Sequence, residues 1–476
     1  MNTVFAIVFS CGLAVSLGAL HRPALSANPA SPISPISPAN PITPASPAKP
    51  GPLNHPAGPG MNPGDSITVP ARPTLPALTP AVPAVPAAPS VAGAAALNWA
   101  AAEAPYLSGH VQITFPADFS KAGEAYFEPG GTPDWIIFQA IARGGDETNY
   151  QMYVAKLART AAGVIAGLDP AVKPIRLSPP KSSSTCGWFH PTEAGRVIFG
   201  CTTIEPKDDT VPGYSRDKSS YTWKFPSEMR VVSRTVEAMV KDKLGAAEAA
   251  KVLADRKDVK AVVPVFVQPN AAVGEGYAAE CSFSGDGRFL LYTYRDPKTS
   301  NPDIWVMDTK TGKHTALVTA KGYNGGPFFS PDAKRIVYRS DRKGDSNLQL
   351  FIADLASDPA TGAITGAEKE TQITDDSNVN WTPFWHPSGA YLIFASSKAG
   401  HKNYEVFSID ATGDKAPADR AWTRVTECEG FDGLPVFNTT GDLMMWTSQR
   451  GGKLPGEEKP SSQIWIAQVG VKSGSW

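Results

Sequence analysis

The 476-residue chain carries 44 Lys and Arg against 45 Asp and Glu. That balance excludes the basic footprint of a nucleic-acid binder, and no Lys/Arg run is present that would hold an anionic membrane surface. The 45 prolines and 42 glycines exceed ordinary usage, and the prolines are unevenly placed, which points to a biased segment beside a folded one.

Residues 1–27 open on MNTVFAIVFSCGLAVSLGAL, an apolar run from Val4 to Leu20 without a charge, followed by small residues at Ala24, Ser26 and Ala27. This reads as a signal peptide or, if uncleaved, a signal anchor, which would be the chain's one membrane contact; either implies export to the periplasm or beyond. Cys11 falls inside the apolar run and reads as packing. Residues 28–97 are almost wholly Pro, Ala, Ser, Gly, Thr and Val. With so few large apolar side chains they are expected to form a disordered Pro/Ala/Ser-rich linker. Roughly sixty such residues, extended, reach on the order of 200 Å.

From residue 98 to 476 the texture changes to six repeats. Each has a polar stretch, an aromatic, a Pro or Gly turn and a β-branched strand. The units are YFEPGGTPDWIIF, WFHPTEAGRVIF, CSFSGDGRFLLY, FFSPDAKRIVY, FWHPSGAYLIF and VFNTTGDLMMW. A third strand follows each, as YQMYVAKL, EMRVVSRTV, DIWVMDT, LQLFIADL, YEVFSID and QIWIAQV, with the two-residue period of a half-buried strand. Fourth-strand patterns lie between units as PIRLS, HTALVT, TQITD and WTRVTE. None follows QIWIAQV, but HVQITF at His110–Phe115 precedes the first unit and has the same character. The fold class is therefore all-β: a six-bladed β-propeller with four-stranded blades, closed by an N-terminal strand that removes two sheet edges. An insertion at about 205–262 enlarges the second blade, and AMVKDKLGAAEAAKVLADR within it is expected to be a surface helix.

FFSPDAKRIVY with LFIADL, and CSFSGDGRFLLY with IWVMD, resemble the TolB-like (WD40-like) six-bladed propellers, whose blades carry F-S-P-D-G followed by an aspartate-ended strand. The resemblance covers most of Gly109–Val469, with degenerate first and last copies. It implies a periplasmic scaffold that touches a peptidoglycan-associated lipoprotein. A proline-rich segment stands here where that family carries an α/β domain. Similar propellers also accompany peptidases, and a few relatives degrade polysaccharides.

Motifs for chemistry are missing: no G-x-S-x-G, H-E-x-x-H, Walker loop or D-x-D-x-D-G calcium loop occurs. No cofactor or metal is expected, and no catalytic residue is assigned. His190 and His386 fall on the repeat's turn position. Cys186 and Cys201 flank one hairpin and can bridge if register allows, two buried thiols being the alternative; Cys281 and Cys428 complete the set. Residues just before each aromatic should line the central funnel: Glu124, Glu280, Asn324, Asn380, Trp381 and Asp432 are the ligand-binding candidates. Three carboxylates around one rim could bind a cationic group or serve acid/base chemistry, and a hydrated channel mouth would use the same residues. Tyr221, Trp223 and Phe225 in the insertion are a second candidate surface, for a partner. The expected function is binding of an envelope protein or cell-wall component, with no nucleic acid, by a monomer. The alternatives are a polysaccharide lyase or glycosidase using funnel carboxylates, and a regulator of a separate peptidase.

Overall fold

The alternating strands assemble into six antiparallel blades and one separate two-stranded hairpin in the computed structural model, which describes residues 98–207, 225–266, 268–269, 276–298 and 301–470, and the backbone of 213–215 and 220–222. The expected leader, the Pro/Ala/Ser-rich linker and Trp223 lie outside the described residues. The first strands, innermost in the ring, are Phe119–Phe127, Ser184–Phe189, Tyr277–Phe283, Asn324–Phe329, Asn380–Trp385 and Asp432–Phe437. Each pairs with a second strand, which pairs with a third, in order around the ring. The result is a six-bladed β-propeller with four-stranded blades. Among the described residues no helix is long and apolar enough to cross a membrane.

Closure comes from the N-terminal side. Leu107–Gln112 pairs antiparallel with Gln463–Val469, the third strand of blade six. The strand begins three residues earlier than the His110–Phe115 pattern suggests, and contact with blade six continues to Thr114. Ile113 N–H donates to the Ile464 carbonyl at 2.8 Å, and the Thr114 hydroxyl accepts from Ile464 N–H at 2.9 Å. The same device recurs in three other blades. There Ser178, Thr374 and Thr426 hydroxyls accept from the N–H groups of Met152, Leu350 and Val406. This is why PIRLS, TQITD, WTRVTE and HVQITF share a hydroxyl at one place: it satisfies a backbone donor that a short outer strand leaves unpaired.

Turn chemistry is equally repetitive. Ser284 and Ser330 each donate to an aspartate two residues on and accept from the N–H that begins the second strand. His190 and His386 occupy that turn position, their Nδ1 atoms taking bonds from the turn, and each packs beneath a turn glycine of the following blade, Gly287 or Gly441. In the insertion, Glu237–Ala254 is helical with a kink at Gly245 (φ 75°). Met239, Val240 and Ala249 are its buried face. Its Asp242 accepts from Trp135 Nε1 at 3.0 Å and from Lys156 at 2.6 Å, which fastens an element of blade two to blade one.

Candidate functional site

Every first strand carries a bulge at the same place, where the register to its partner slips. The bulged residues are Glu124, Cys186, Glu280, Gly326, Thr382 and Leu434, all with φ between 43° and 59°. Only one is glycine. Left-handed backbone costs a non-glycine residue roughly 1–2 kcal/mol, so five blades hold a strained conformation that turns one side chain toward the ring's centre.

Two residues further on stand Tyr126, Trp188, Phe328 and Phe384 in four of the blades. Their ring centroids lie 4.9 Å apart for Tyr126–Trp188, 5.6 Å for Trp188–Phe328 and 5.1 Å for Phe328–Phe384. Contacts between blades two and four, and between one and four (Tyr126–Phe328, 5.9 Å), are contacts across the axis. The channel therefore has an aromatic floor.

Above that floor Glu280, 8% exposed, is held on all sides. It accepts from Arg339 Nη2 at 3.0 Å, from the Tyr323 hydroxyl at 2.7 Å, from Thr293 at 2.7 Å and from the Gly326 N–H at 2.7 Å. Burial alone would lower the Arg339 pKa, but Tyr323 and Glu280 beside it hold it above its usual value. Gly325 and Gly326 make this possible, since a Cβ at the first would meet Glu280 and Tyr323, and one at the second would overlap the guanidinium. Glu124, the matching residue of blade one, is treated differently. It is half-buried and receives the Thr185 hydroxyl at 3.3 Å, the Tyr126 hydroxyl at 3.4 Å and the Cys186 thiol. Burial raises its pKa, and the Cys186 contact and the more distant Arg339 only partly offset that.

The three carboxylates expected around one rim thus fall into two groups. Asp432 stands two residues before its bulge, as Asn324 and Asn380 do, and each of these side chains bonds to a serine or arginine at or just past the end of its own blade's second strand, Asn380 also reaching blade four. Asn380 accepts from Ser396 at 2.7 Å and donates to Gln349 at 3.0 Å; Asn324 accepts from Ser340 at 2.7 Å. Asp432 accepts from Arg450 Nη2 at 2.6 Å, and Arg450 also forms two 2.9 Å bonds to Glu103, from the Trp99–Glu103 helix that precedes the closing strand. Arg450 lies 4.4 Å from the Trp99 ring and 4.8 Å from Trp446. Burial raises the Asp432 pKa against the pull of Arg450, whereas at Glu103 the His110 and Arg450 contacts outweigh burial and lower it. This second network fastens the seam of the ring. Trp381, beside Asn380, packs on Tyr404 and Phe431 rather than on the carboxylates.

In the insertion, Phe225 packs on Tyr277 (5.0 Å) and Tyr323 (6.0 Å), so blade two reaches over the strand starts of blades three and four. Tyr221 lies in a short hairpin, 213–215 with 220–222, described by its backbone alone. Cys186 and Cys201 are separate thiols. Cys201 pairs with Ser184, while Cys186 sits in the bulge and turns to Glu124. Sequence reasoning missed Arg339 and Arg450. The signal for the first is a charge that follows the apolar run Ile336–Val337–Tyr338 within the strand Arg335–Ser340, opposite a glycine.

No family model matches the chain. Over 117 residues it is 32% identical to an uncharacterized protein of Agrobacterium fabrum, covering 25% of this chain and 35% of that protein. Over 180 residues it is 26% identical to the Tol-Pal system protein TolB of Wolinella succinogenes, 38% of each. The matches thus span little more than a third of these curated relatives' lengths. Among solved structures, TolB from Acinetobacter baumannii aligns with a TM-score of 0.40 at 14% identity, over 74% of this chain and 65% of that one. With its repeated Ser-x-Asp turns and six four-stranded blades, the chain is a six-bladed β-propeller, and over part of its length it is similar to TolB sequences.

Proposed function

We propose that the chain is an exported binding or scaffold protein, whose ring, carried on the Pro/Ala/Ser-rich spacer, engages an envelope protein or cell-wall component at the channel mouth. The observation that carries this reading is the state of the channel. Arg339 and Glu280 are committed to each other, aromatic rings form the floor, and one half-buried carboxylate remains. That arrangement suits holding a ligand. The TolB relatives are named for the Tol-Pal system, which supports a periplasmic setting and a partner of the envelope. A glycosidase needs two carboxylates facing one substrate. Here Glu280 is neutralised by Arg339 and Asp432 by Arg450, which leaves Glu124 without a second member. A propeller that regulates a separate peptidase would use the same mouth and differ only in its partner.

The test is site-specific photo-crosslinking of the full chain in its host, with probes at Trp381 and Phe431 near the mouth and at Val164 on the outer rim. One envelope protein captured from the mouth and not from the rim is the expected result. Turnover of an envelope polysaccharide or peptide by the purified chain alone would replace this reading with the enzymatic one.

A further inference from the structure

Glu124 and Glu280 occupy the same position in two blades, yet only one has a cation. Around Glu280 a guanidinium, a phenol, a hydroxyl and a backbone N–H complete the carboxylate's bonding. Around Glu124 there are two hydroxyls and a thiol, and no basic side chain among the described residues forms an ion pair with it. Burying a carboxylate without a counter-charge is unfavourable, so a ligand that brings a positive charge gains more here than in water. A second polar group stands two blades away round the ring. Thr382, at the same bulge position, is 7% exposed, and its hydroxyl has no partner among the described residues. Beneath lie the rings of Tyr126, Trp188, Phe328 and Phe384, whose π faces attract cations. Leu434, half-buried at the bulge between Thr382 and Glu124, adds an apolar wall that suits an alkyl stem. An anion would meet Glu124, and a neutral ligand would leave its charge uncompensated.

We propose that the channel receives a primary alkylammonium, with Glu124 as its counter-ion, the Thr382 hydroxyl as a further acceptor and the aromatic floor as its cation-attracting base. This rests on the binding reading above and names the chemical group recognised. A lysine side chain of a partner and a free alkylamine both carry that group.

The experiment titrates the full-length protein with Nα-acetyl-lysine methylamide, its Nε-acetylated form and n-butylamine, read by calorimetry and tryptophan fluorescence. The charged lysine derivative should saturate one site, and the neutral form should bind at least about tenfold more weakly, as should E124Q toward the charged form. T382V should lose about two- to fivefold. Circular dichroism and melting of both variants establish that they are folded; should E124Q not fold, T382V and the neutral ligand carry the test. Both amines binding alike would point to the free amine, and preference for the lysine derivative to a peptide side chain. Either result supports the site. No saturation by roughly 20 mM, or equal binding by the neutral form or by folded E124Q, would overturn it. Such a failure leaves the cross-linking result untouched, whereas loss of mouth-specific cross-links with amine binding intact would remove the scaffold reading and keep the site.

Discussion

Arg450 and Arg339 are both buried guanidinium groups among carboxylates, one at the seam of the ring and one at its centre. At the seam, two acids from different parts of the chain, Glu103 and Asp432, converge on one cation, with Trp99 and Trp446 against its face. At the centre one acid is enclosed by Arg339 and its neighbours, and the next, Glu124, is not. The same chemistry serves cohesion in the first place and leaves a charge to be answered in the second. The difference arises from chain position. The seam must join segments over three hundred residues apart, while the channel is framed by six strands that the blades already hold.

The comparison breaks most sharply at Arg450. Arg450→Met leaves two buried carboxylates without a cation, and a loss on the order of 3–5 kcal/mol is expected from the denaturant midpoint at pH 7.5. The loss should shrink in acid, where both acids protonate; a loss below about 1 kcal/mol would show that the strand pairing closes the ring without the ion pairs. At the centre, Gly326→Ala combines a left-handed φ of 59° with overlap against Arg339. About 2 kcal/mol should be lost, with displacement of Arg339 from Glu280.

Glu124→Gln should do the reverse. Burial raises the folded-state pKa of Glu124 above its unfolded value, so the native state holds the extra proton. Stability therefore falls as pH rises from the unfolded pKa through the folded one, and the glutamine variant lacks that fall. Its melting temperature relative to the parent should climb between pH 4 and 8; a flat difference would mean that the carboxylate is compensated already. The smallest effect is expected at Asp303, whose carboxyl is pushed up to about 6 by burial and has one oxygen without a partner. Asp303→Asn should remove a gentle decline in stability between about pH 4 and 6 and give a slight gain at neutral pH, seen in the same melting series.

Blade number, strand order and closure were legible because each rests on a repeated local pattern. A two-residue period marks the third strands, a Ser-x-Asp turn opens the second strand in two blades, and a hydroxyl marks the outer edge in four. The channel was less legible, because alternation fails at a bulge. Counting back from the aromatic in steps of two does not show that Glu124 and Glu280 turn inward on left-handed backbone while Asn380 and Asp432 are held by hydrogen bonds to the strands around them. Nor does it show that Tyr126 and Trp188 each meet Phe328 across the axis. Arg339 carries a trace in sequence through the glycines that make room for it, whereas one of the two acids on Arg450, Glu103, comes from the far end of the chain, and no local pattern joins it to Asp432.

The Trp99–Glu103 helix precedes the closing strand, so the ring is buckled at the end where the chain enters it. A pull on the chain ahead of Asn98 loads the grip of Glu103 on Arg450 before it reaches the strand's backbone ladder. Mechanical failure would then begin as release of one strand from blade six, with the channel cluster between blades three and four still assembled.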